Sequence, residues 1–510
     1  MLDVVRTKYG LVRGERCGDP RIVVFKSIPY ATPPVGKLRW KSPLSPVPWD
    51  GIRDVHDFPP MAMQNNPGLN SNDFYTPEIH PMAMDYPVSE DCLYLNIWTP
   101  AHSAGKKLPV LFYIHGGGFF NGYSYELEFD GEHVAKNGII LVTANYRMGA
   151  FGFFAHEKLF SPLHPFGNQG LEDQLMALKW VHENIAAFGG DPDLITIAGQ
   201  SAGGMSVQCL MASPLAKGLF RGAILMSCGG LAPKGFGINV TRTVEQARME
   251  SSRLLQMLNI STLDEALHCS SEDVLNASLE MRKEYGSFIW NPTIDGCFLL
   301  EGSREALLHG HSSDVPCMIG ACRTESIPKP ERQKEYASLN AFYQFVDREF
   351  DESGKNIIHS MNLKTDEDVR ALVKSEEAFA TSIATRAYAI HREQGHRKTY
   401  VYLFDHDIPG DNSGSYHGSD LWFVFDSLSR CWRPFTGKHY DLARQVSAYW
   451  ANFVRFGNPN GTDRFGNPLP VWDCYQTSAP FVMTFRDHPE PDTRPDSDLQ
   501  KAMLHACLKE

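Results

Sequence analysis

The sequence predicts an α/β protein in which helices cover both faces of a mostly parallel, twisted central sheet. Apolar strand-like runs alternate with helical patterns along most of the chain, and such alternation is typical of parallel sheets. The chain has 510 residues, of which 43% are hydrophobic and 21% charged. It therefore has enough apolar material for a large core. We find no internal repeat or low-complexity linker, so we predict a single domain over residues 1–510.

The strands are predicted from short apolar runs bounded by turn residues. Residues 1–60 contain short β segments and then a proline-rich stretch. The longer strands that follow are Leu93–Trp98, Pro109–His115, Gly138–Tyr146, Leu194–Ala198, Gly222–Met226, Val315–Gly320 and Thr399–Asp405. Helical signals lie between several of them, which again favours a parallel sheet with covered faces.

Two long helices are predicted from apolar residues at helical spacing. In the first, Gln169–Phe188, the apolar positions are Leu171, Leu175, Leu178, Val181 and Ile185. In the second, near Asp441–Phe456, they are Leu442, Val446, Trp450 and Phe453. Residues three, four or seven positions apart share one face of a helix. Each helix should therefore turn one apolar face toward the core.

Two stretches, 232–293 and 328–396, interrupt the alternation of strands and helices. Both are rich in helical patterns and more charged than their surroundings. We interpret them as helical insertions over the sheet that form a lid or a pocket wall. The alternative is that they are additional outer helices with no part in access to a site, and the sequence is equally compatible with both.

Composition and charge exclude several classes of partner. The net charge is −12, from 48 basic and 60 acidic residues, and we see no dense basic cluster, so we expect no nucleic-acid binding. No apolar run reaches the roughly 18 residues of a membrane-spanning helix, and the amino terminus shows no signal-peptide pattern. The eleven cysteines have no metal-type pairing. We therefore expect reduced thiols, a cytoplasmic location and no membrane association, whereas the oligomeric state stays open.

The stretch GQSAGG, residues 199–204, places Ser201 between glycines directly after a predicted strand. One interpretation is a nucleophile on a sharp strand-to-helix turn, where small neighbours let both elements approach closely. The other is an ordinary tight turn, because G-x-S-x-G also arises by chance. A serine hydroxyl is a weak nucleophile at neutral pH. The first interpretation therefore requires a base, an acid that orients the base, and hydrogen-bond donors for an oxyanion.

The segment HGGGF, residues 115–119, supplies candidate oxyanion donors. Consecutive glycines let the backbone bend and present its N–H groups without side-chain obstruction. A flexible turn is the alternative. A glycine run that follows a histidine at the end of an apolar strand, upstream of G-x-S-x-G, favours the oxyanion hole.

Several residues compete for the roles of base and acid. His417 lies in a loop of small residues downstream of the last predicted strand, and His406, next to that strand, competes with it. Glu325 follows the preceding strand and satisfies the chain order serine, acid, histidine. Asp295 in the segment PTIDG is the competing carboxylate, with a role in a turn as its alternative.

Longer blocks of the chain resemble the type-B carboxylesterases, the cholinesterase-like and para-nitrobenzyl-esterase-like branch of the α/β-hydrolases. In the family's order, these blocks are IPYATPPVGKLRW, SEDCLYLNIW, HGGGF, NYRMGAFGF, NQGLEDQLMALKWVHENIAAFGGDP, ITIAGQSAGG, PTIDGCFL, VPCMIGACRTES, YHGSDLWFVF and YDLARQVSAYWANFVRFGNPNG. They extend over almost the whole length, and several are long and specific. The resemblance implies an α/β-hydrolase fold and esterase chemistry.

The resemblance also implies roles for individual residues. The nucleophile, acid and base would be Ser201, Glu325 and His417. The oxyanion donors would be the backbone N–H groups of Gly117, Gly118 and Ala202. Structural ion pairs would join Arg39 to Glu90 and Arg147 to Asp173.

The chain departs from the family's pattern at four places. The usual cysteine partner of Cys92 is absent, so we expect Cys92 to be unpaired. Ser326 replaces the glycine after the acid, from which we expect little effect. Gln200 stands where many relatives carry glutamate, and Met82 or Met84 stands about where cholinesterases place a tryptophan that stacks on a quaternary ammonium. Without that carboxylate and that aromatic face, recognition of choline is weak, so we predict an enzyme other than a cholinesterase.

We predict a serine carboxylesterase that hydrolyses uncharged esters with short or medium acyl chains, or aryl or cinnamoyl-type esters, through an acyl-enzyme on Ser201. Several aromatic residues suggest an apolar substrate pocket. They are Phe119, Phe120, Trp290, Tyr416 and Trp422. For each of them, packing in the core is the alternative. No metal or organic cofactor is required, and the expected partner is a small-molecule ester. Two alternatives stay open: another acyl transfer at the same site (amidase, thioesterase or transesterification), and an inactive scaffold or adhesion relative.

Overall fold

The structure of the protein is a computed structural model that describes residues 2–66, 74–80, 86–159, 166–232, 241–285, 289–325, 338–349, 352–375 and 379–508. The described residues form one large sheet of eleven strands, a three-stranded sheet near the amino terminus and two two-stranded ladders. Helices pack against both faces of the large sheet.

The strands are short at the amino terminus and longer where the chain enters the large sheet. In chain order they are β1 (Val4–Arg6), β2 (Leu11–Arg13), β3 (Glu15–Arg16), β4 (Val23–Pro29), β5 (Ile52–Asp54), β6 (Met61–Ala62), β7 (Val88–Ser89), β8 (Tyr94–Thr99), β9 (Leu108–Ile114), β10 (Ile140–Ala144), β11 (Gly190–Gln200), β12 (Gly222–Met226), β13 (Arg242–Thr243), β14 (Thr293–Ile294), β15 (Cys317–Cys322), β16 (Thr399–Phe404), β17 (Val482–Phe485) and β18 (Pro489–Pro491).

The helices that connect and cover these strands follow the same chain order. They are α1 (Thr76–Ile79), α2 (Glu132–Lys136), α3 (Gly149–Gly152), α4 (Gln169–Asn184), α5 (Ala202–Ala212), α6 (Val244–Met257), α7 (Leu263–His268), α8 (Ser271–Tyr285), α9 (Ser303–Leu308), α10 (Leu339–Glu349), α11 (Glu352–Ser360), α12 (Asp366–Ser375), α13 (Phe379–Gln394), α14 (Leu421–Val424), α15 (Gly437–Phe456) and α16 (Asp498–Leu508).

The large sheet is mostly parallel, as the sequence predicts. Its strands lie in the order β18, β17, β16, β15, β12, β11, β9, β10, β8, β4, β3. Neighbours from β17 through β10 pair in parallel, and the pairs at both edges are antiparallel. Because parallel strands end at the same edge of a sheet, the loops after β9, β11, β15 and β16 all leave from that edge, which is where ligands bind in open α/β sheets.

Two apolar layers hold the helices on the sheet. Side chains alternate between the faces of a strand, so Val110, Phe112 and Ile114 of β9 join one buried cluster with α4 and α5. Leu111 and Tyr113 of the same strand join a second cluster with α15. The covered faces that the sequence predicts are therefore present.

Most predicted elements shift by a few residues for identifiable reasons. The predicted strand Val315–Gly320 begins at Cys317, because Pro316 has no N–H to donate to a neighbouring strand. The predicted helix Asp441–Phe456 begins earlier, at Gly437, where Thr436 and His439 exchange capping hydrogen bonds. The predicted helix Gln169–Phe188 finishes as a tighter 3₁₀ turn before Gly189, which adopts a φ of 86°.

The two stretches predicted as insertions are mostly helical where the structure describes them. Residues 232–293 contain α6, α7 and α8, and residues 328–396 contain α10 to α13. Their role as a lid or pocket wall stays a prediction. Among the described residues, no helix combines the length and apolar character that crossing a membrane requires.

Candidate active site

Ser201 lies on the sharp turn between β11 and α5. Its backbone adopts φ 56° and ψ −125°, a combination that costs a non-glycine residue about 1–3 kcal/mol. The Ser201 N–H donates to the Met226 carbonyl at 2.9 Å, at the end of the neighbouring strand β12. The strained turn is thus held by the sheet, and it places the hydroxyl at the carboxyl edge.

The glycines around Ser201 allow strand and helix to approach each other. A Cβ on Gly199 would lie 2.3 Å from the carbonyl carbon of Gly203, and a Cβ on Gly203 would lie 2.0 Å from the Ile114 oxygen at the end of β9. Neither distance is compatible with a side chain. The pattern G-x-S-x-G is therefore a requirement of this turn rather than of a flexible loop.

The HGGGF segment runs directly past the serine. A Cβ on Gly116 would lie 3.1 Å from the Cβ of Ser201, and Gly117 and Gly118 have φ values of 98° and 63°. Within the described part of the chain, the N–H groups of Gly117, Gly118 and Ala202 donate no hydrogen bond. Unused backbone donors on two segments that adjoin Ser201 are what an oxyanion hole requires.

Glu325 and His417 meet beside this turn. The Thr324 N–H donates to the Ser415 carbonyl at 3.1 Å, which joins the end of β15 to the loop that carries His417. One Glu325 oxygen accepts a hydrogen bond from His417 Nδ1, and the other accepts the Cys322 N–H at 2.8 Å. The carboxylate is thereby fixed from both sides, and the imidazole directs Nε2 away from it.

Burial and nearby charges act on His417 in opposite directions. Burial alone would lower the pKa of His417, but the charge and the hydrogen bond of Glu325, aided by Asp420, raise it above the ordinary 6.5. Asp420 is itself buried, which together with the Glu325 charge raises its pKa to about 6. The Tyr402 hydroxyl donates to Asp420 at 2.8 Å. These two acids therefore stabilise the imidazolium cation, the species that a histidine base forms when it accepts a proton.

The two competitors for these roles lie elsewhere. Asp295 accepts backbone N–H groups from Cys297, Phe298 and Leu299 at 2.9–3.0 Å, which is the turn role left open from the sequence. His406 is buried against Phe423 and His439, and burial lowers its pKa. His115 of the HGGGF segment is also buried, which lowers its pKa to about 4 and keeps it neutral.

The five predicted pocket residues differ in their surroundings. Four of them are at most 3% exposed and contribute to apolar clusters: Phe119, Trp290, Tyr416 and Trp422. Phe120, which directly follows the HGGGF segment, is half-buried, and the guanidinium of Arg282 lies 3.2 Å from its ring centroid. Core packing thus accounts for four of the rings. Assignment of these residues to a substrate pocket stays a prediction, and of the five, Phe120 agrees with it best.

The structural ion pairs implied by the resemblance are present. Arg39 contacts Glu90 at 2.5 and 2.8 Å, and Arg147 contacts Asp173 twice at 2.8 Å, with both side chains almost fully buried. Cys92 is buried and free, as predicted. The positions Met82, Met84 and Ser326 lie outside the described residues.

Sequence reasoning missed two buried carboxylates near His417. Asp420 lies three residues after it. Glu78 on α1 accepts hydrogen bonds from Tyr416 and Trp432 at 2.8 Å and forms an ion pair with Arg433. Asp420 was recognisable as a carboxylate in the small-residue loop. Glu78 had no local signal, because its partners are more than 330 residues away.

A second cluster of histidine and carboxylate groups lies away from this site. In the described part of the chain, one such group has donor atoms within 4.8 Å of one another and could hold a metal ion: Glu301, His309 and His311. Ser313, just beyond it, bonds to Met211 near the end of α5. Since Ser201 stands at the start of that helix, the cluster lies toward the opposite end, about 15 Å along the helix axis.

Comparison with known proteins identifies the relatives of this chain. The family model described as "Carboxylesterase family" matches residues 2–502. The chain belongs to the carboxylesterase family. The para-nitrobenzyl esterase of Bacillus subtilis is 33% identical over 479 residues, 90% of each chain. A cocaine esterase of Oryctolagus cuniculus is 33% identical over 483 residues, which are 89% of this chain and 88% of the relative.

A solved structure agrees with this assignment. A PNB esterase superposes with a TM-score of 0.81 at 29% sequence identity, over 99% of both chains. This carboxylesterase therefore has the α/β-hydrolase fold that the sequence predicts, and it is a carboxylic ester hydrolase.

Proposed function

We propose that this carboxylesterase uses Ser201 as nucleophile, His417 as general base and Glu325 as the orienting acid, and that it hydrolyses uncharged carboxylic esters. The observation that carries the proposal is the Glu325–His417 hydrogen bond at the edge where Ser201 leaves its strand. A serine, a histidine and an acid at one edge are the parts that acyl transfer needs.

Acylation begins when the Ser201 oxygen attacks the ester carbonyl carbon and His417 Nε2 takes the hydroxyl proton. The negative charge on the carbonyl oxygen meets the N–H groups of Gly117, Gly118 and Ala202. Glu325 stabilises the imidazolium that has formed. When the carbon–oxygen bond to the alcohol breaks, His417 returns the proton to the leaving oxygen, and the acyl group remains on Ser201.

Deacylation repeats these steps with water in place of the serine hydroxyl. His417 takes one proton from the water as its oxygen attacks the acyl carbon, and it then protonates Ser201 as the acyl bond breaks. The carboxylic acid leaves, and the serine is restored. Each proton that His417 accepts is therefore given back within the same half-reaction.

The substrate class follows from the neutral and aromatic groups at the site. Gln200 adds no charge beside the nucleophile, and the half-buried Phe120, with Arg282 against one face of its ring, places an aromatic side chain next to the HGGGF segment. We therefore infer uncharged esters with short or medium acyl chains, or aryl or cinnamoyl-type esters. The names of the two relatives, para-nitrobenzyl esterase and cocaine esterase, are compatible with aryl-containing esters.

The decisive experiment is hydrolysis of p-nitrophenyl butyrate near pH 8 by the wild type and by Ser201→Ala. We expect the wild type to turn over and the variant to lose at least about a thousandfold in kcat, because the residual rate comes only from binding and the oxyanion hole. Equal activity of the two proteins would refute Ser201 as nucleophile. Inactivity of both, with p-nitrophenyl acetate tested alongside, would refute the proposed substrate class.

Other acyl transfers at the same site are distinguished by substrate rather than by mutation. An ester, an amide and a thioester of butyric acid, tested in parallel, would rank these activities, and faster turnover of the amide or thioester would replace the ester assignment. A clear preference for butyrylcholine over p-nitrophenyl butyrate would contradict an uncharged substrate.

The cytoplasmic location proposed from the sequence is supported by the free state of all eleven cysteines.

A further inference from the structure

Gln200, the last residue of β11, has an unusual place in the site. Its side chain is buried, at 6% exposure, and its Nε2 lies 3.0 Å from His417 Nε2. Two glycines flank it: a Cβ on Gly116 would lie 2.9 Å from the Gln200 amide oxygen, and a Cβ on Gly418 would lie 3.5 Å from the amide nitrogen. The amide is thus enclosed between the oxyanion segment and the histidine loop.

The direction of this hydrogen bond follows from the other side of the ring. The His417 Nδ1–H donates a hydrogen bond to Glu325, so Nε2 of the neutral imidazole carries a lone pair. The Gln200 amide N–H is then the donor and Nε2 the acceptor. Within the described part of the chain, the Ser201 hydroxyl itself makes no hydrogen bond, so in this structure the amide occupies the nitrogen that has to receive the serine proton.

We propose that Gln200 is a positioning residue, whose amide holds the His417 ring by Nε2, favours its neutral form and releases that nitrogen to Ser201 when an ester binds. The proposal rests on the proposed function, since it assigns the base to His417. It adds a second anchor opposite Glu325, so that the imidazole is fixed at both nitrogens before substrate arrives.

The charges that face His417 explain why an uncharged partner matters here. Glu325 and Asp420 both favour the protonated ring, and the Tyr75 hydroxyl donates to the His417 carbonyl at 3.2 Å without adding a charge. A carboxylate at position 200 would be a third acid against the same imidazole. An amide donor has the opposite effect, because it bonds to a lone pair that only the neutral ring possesses.

The test compares Gln200→Glu, which keeps the shape and adds a charge, with Gln200→Met, which keeps the length and removes the donor. For each, kcat/KM with p-nitrophenyl butyrate is measured from about pH 5 to 10. The acid limb of this profile is the range below the plateau in which kcat/KM rises with pH. We expect Gln200→Glu to move the midpoint of the acid limb to higher pH by about one to three units. We expect Gln200→Met to move the limb upward by less, and to lower the plateau roughly three- to tenfold because the ring loses an anchor.

Other outcomes would separate the possible failures. An acid limb in Gln200→Glu that coincides with that of the wild type would overturn the proposal, as would a Gln200→Met variant with wild-type profile and plateau. Thermal unfolding of all three proteins checks that a shift of the acid limb does not result from loss of folded protein. If Gln200 served only in packing, its substitution would change the melting temperature and leave the acid limb in place. If the wild type and Ser201→Ala had equal activity, the proposed function would fail first, and independently of Gln200.

Discussion

Two carboxylate–imidazole clusters in this protein use the same groups in different surroundings. In the first, Glu325 and His417 have side chains that are 10% and 25% exposed. In the second, Glu301 accepts hydrogen bonds from His309 and His311 at 2.5 Å each, and these imidazoles are 57% and 68% exposed. The contacts are similar, and the environments are not.

The difference teaches that the neighbours of the pair, more than the pair itself, determine what it does. At the surface, water and salt screen the attraction, and an exposed ion pair contributes only about 0–1 kcal/mol to stability. At the sheet edge, the pair adjoins a strained serine, free backbone donors and the Gln200 amide. In the proposed mechanism, the same attraction orients His417 as the base and stabilises the positive charge that it gains.

The largest expected effect separates the two carboxylates by activity. Glu325→Gln should lower kcat for p-nitrophenyl butyrate by at least about a hundredfold, because the imidazole loses both its orientation and the charge that stabilises its cation. The matched variant Glu301→Gln makes the same chemical change in the exposed cluster, and it should remain within twofold of the wild type. Comparable losses in both variants would show that the clusters do not differ as we infer.

The pH profile provides a second, smaller contrast. The base must be neutral to accept a proton, and Glu325 raises the pKa of His417 above 6.5. In the wild type, kcat/KM should therefore rise with pH through a midpoint above about 6.5. In Glu325→Gln the carboxylate charge is gone, so the midpoint should fall below that of the wild type, whereas His309→Ala should leave it unchanged. A rate independent of pH between 6 and 8 would argue against His417 as the base.

The smallest expected effect concerns stability. Burial alone would raise the pKa of Glu301, but the hydrogen bonds from His311 and His309 outweigh it and lower the pKa. The cluster thus stabilises the fold above the ordinary carboxyl pKa of 4.5, and this contribution is lost as the pH falls through the lowered value. At pH 7, Glu301→Gln should reduce the free energy of unfolding by less than about 1 kcal/mol. Urea denaturation measures it, and a loss of several kcal/mol would mean that the cluster is not solvent-screened.

Local patterns predicted the sheet and the sharp strand-to-helix turn at Ser201 correctly. The strand Gly222–Met226 has the predicted limits, because an uninterrupted apolar run bounded by polar residues leaves few alternatives. Ser201 and the HGGGF segment were recognisable because glycines are needed wherever two backbones come within contact distance. These requirements act between residues near each other in the sequence or on adjacent strands.

Long-range contacts were not predictable in the same way. The roles of Glu325 and His417 came from a family resemblance, since spacing alone left Asp295 and His406 in competition. The buried carboxylate of Glu78 was missed entirely, because its hydrogen-bond partners Tyr416 and Arg433 lie at the other end of the chain. Nor did any pattern indicate that Gln200 would contact His417 Nε2, which depends on where two loops meet.

By itself, the sequence determined the order of strands and helices, the glycine-bounded serine and the family to which the chain belongs. Those features depend on hydrophobic periodicity and backbone sterics, which are local. The tertiary structure alone decided how deeply Glu325 and His417 are buried and what lies against the free imidazole nitrogen. Burial and charge proximity set proton affinity, and both arise only when segments distant in the chain are brought together.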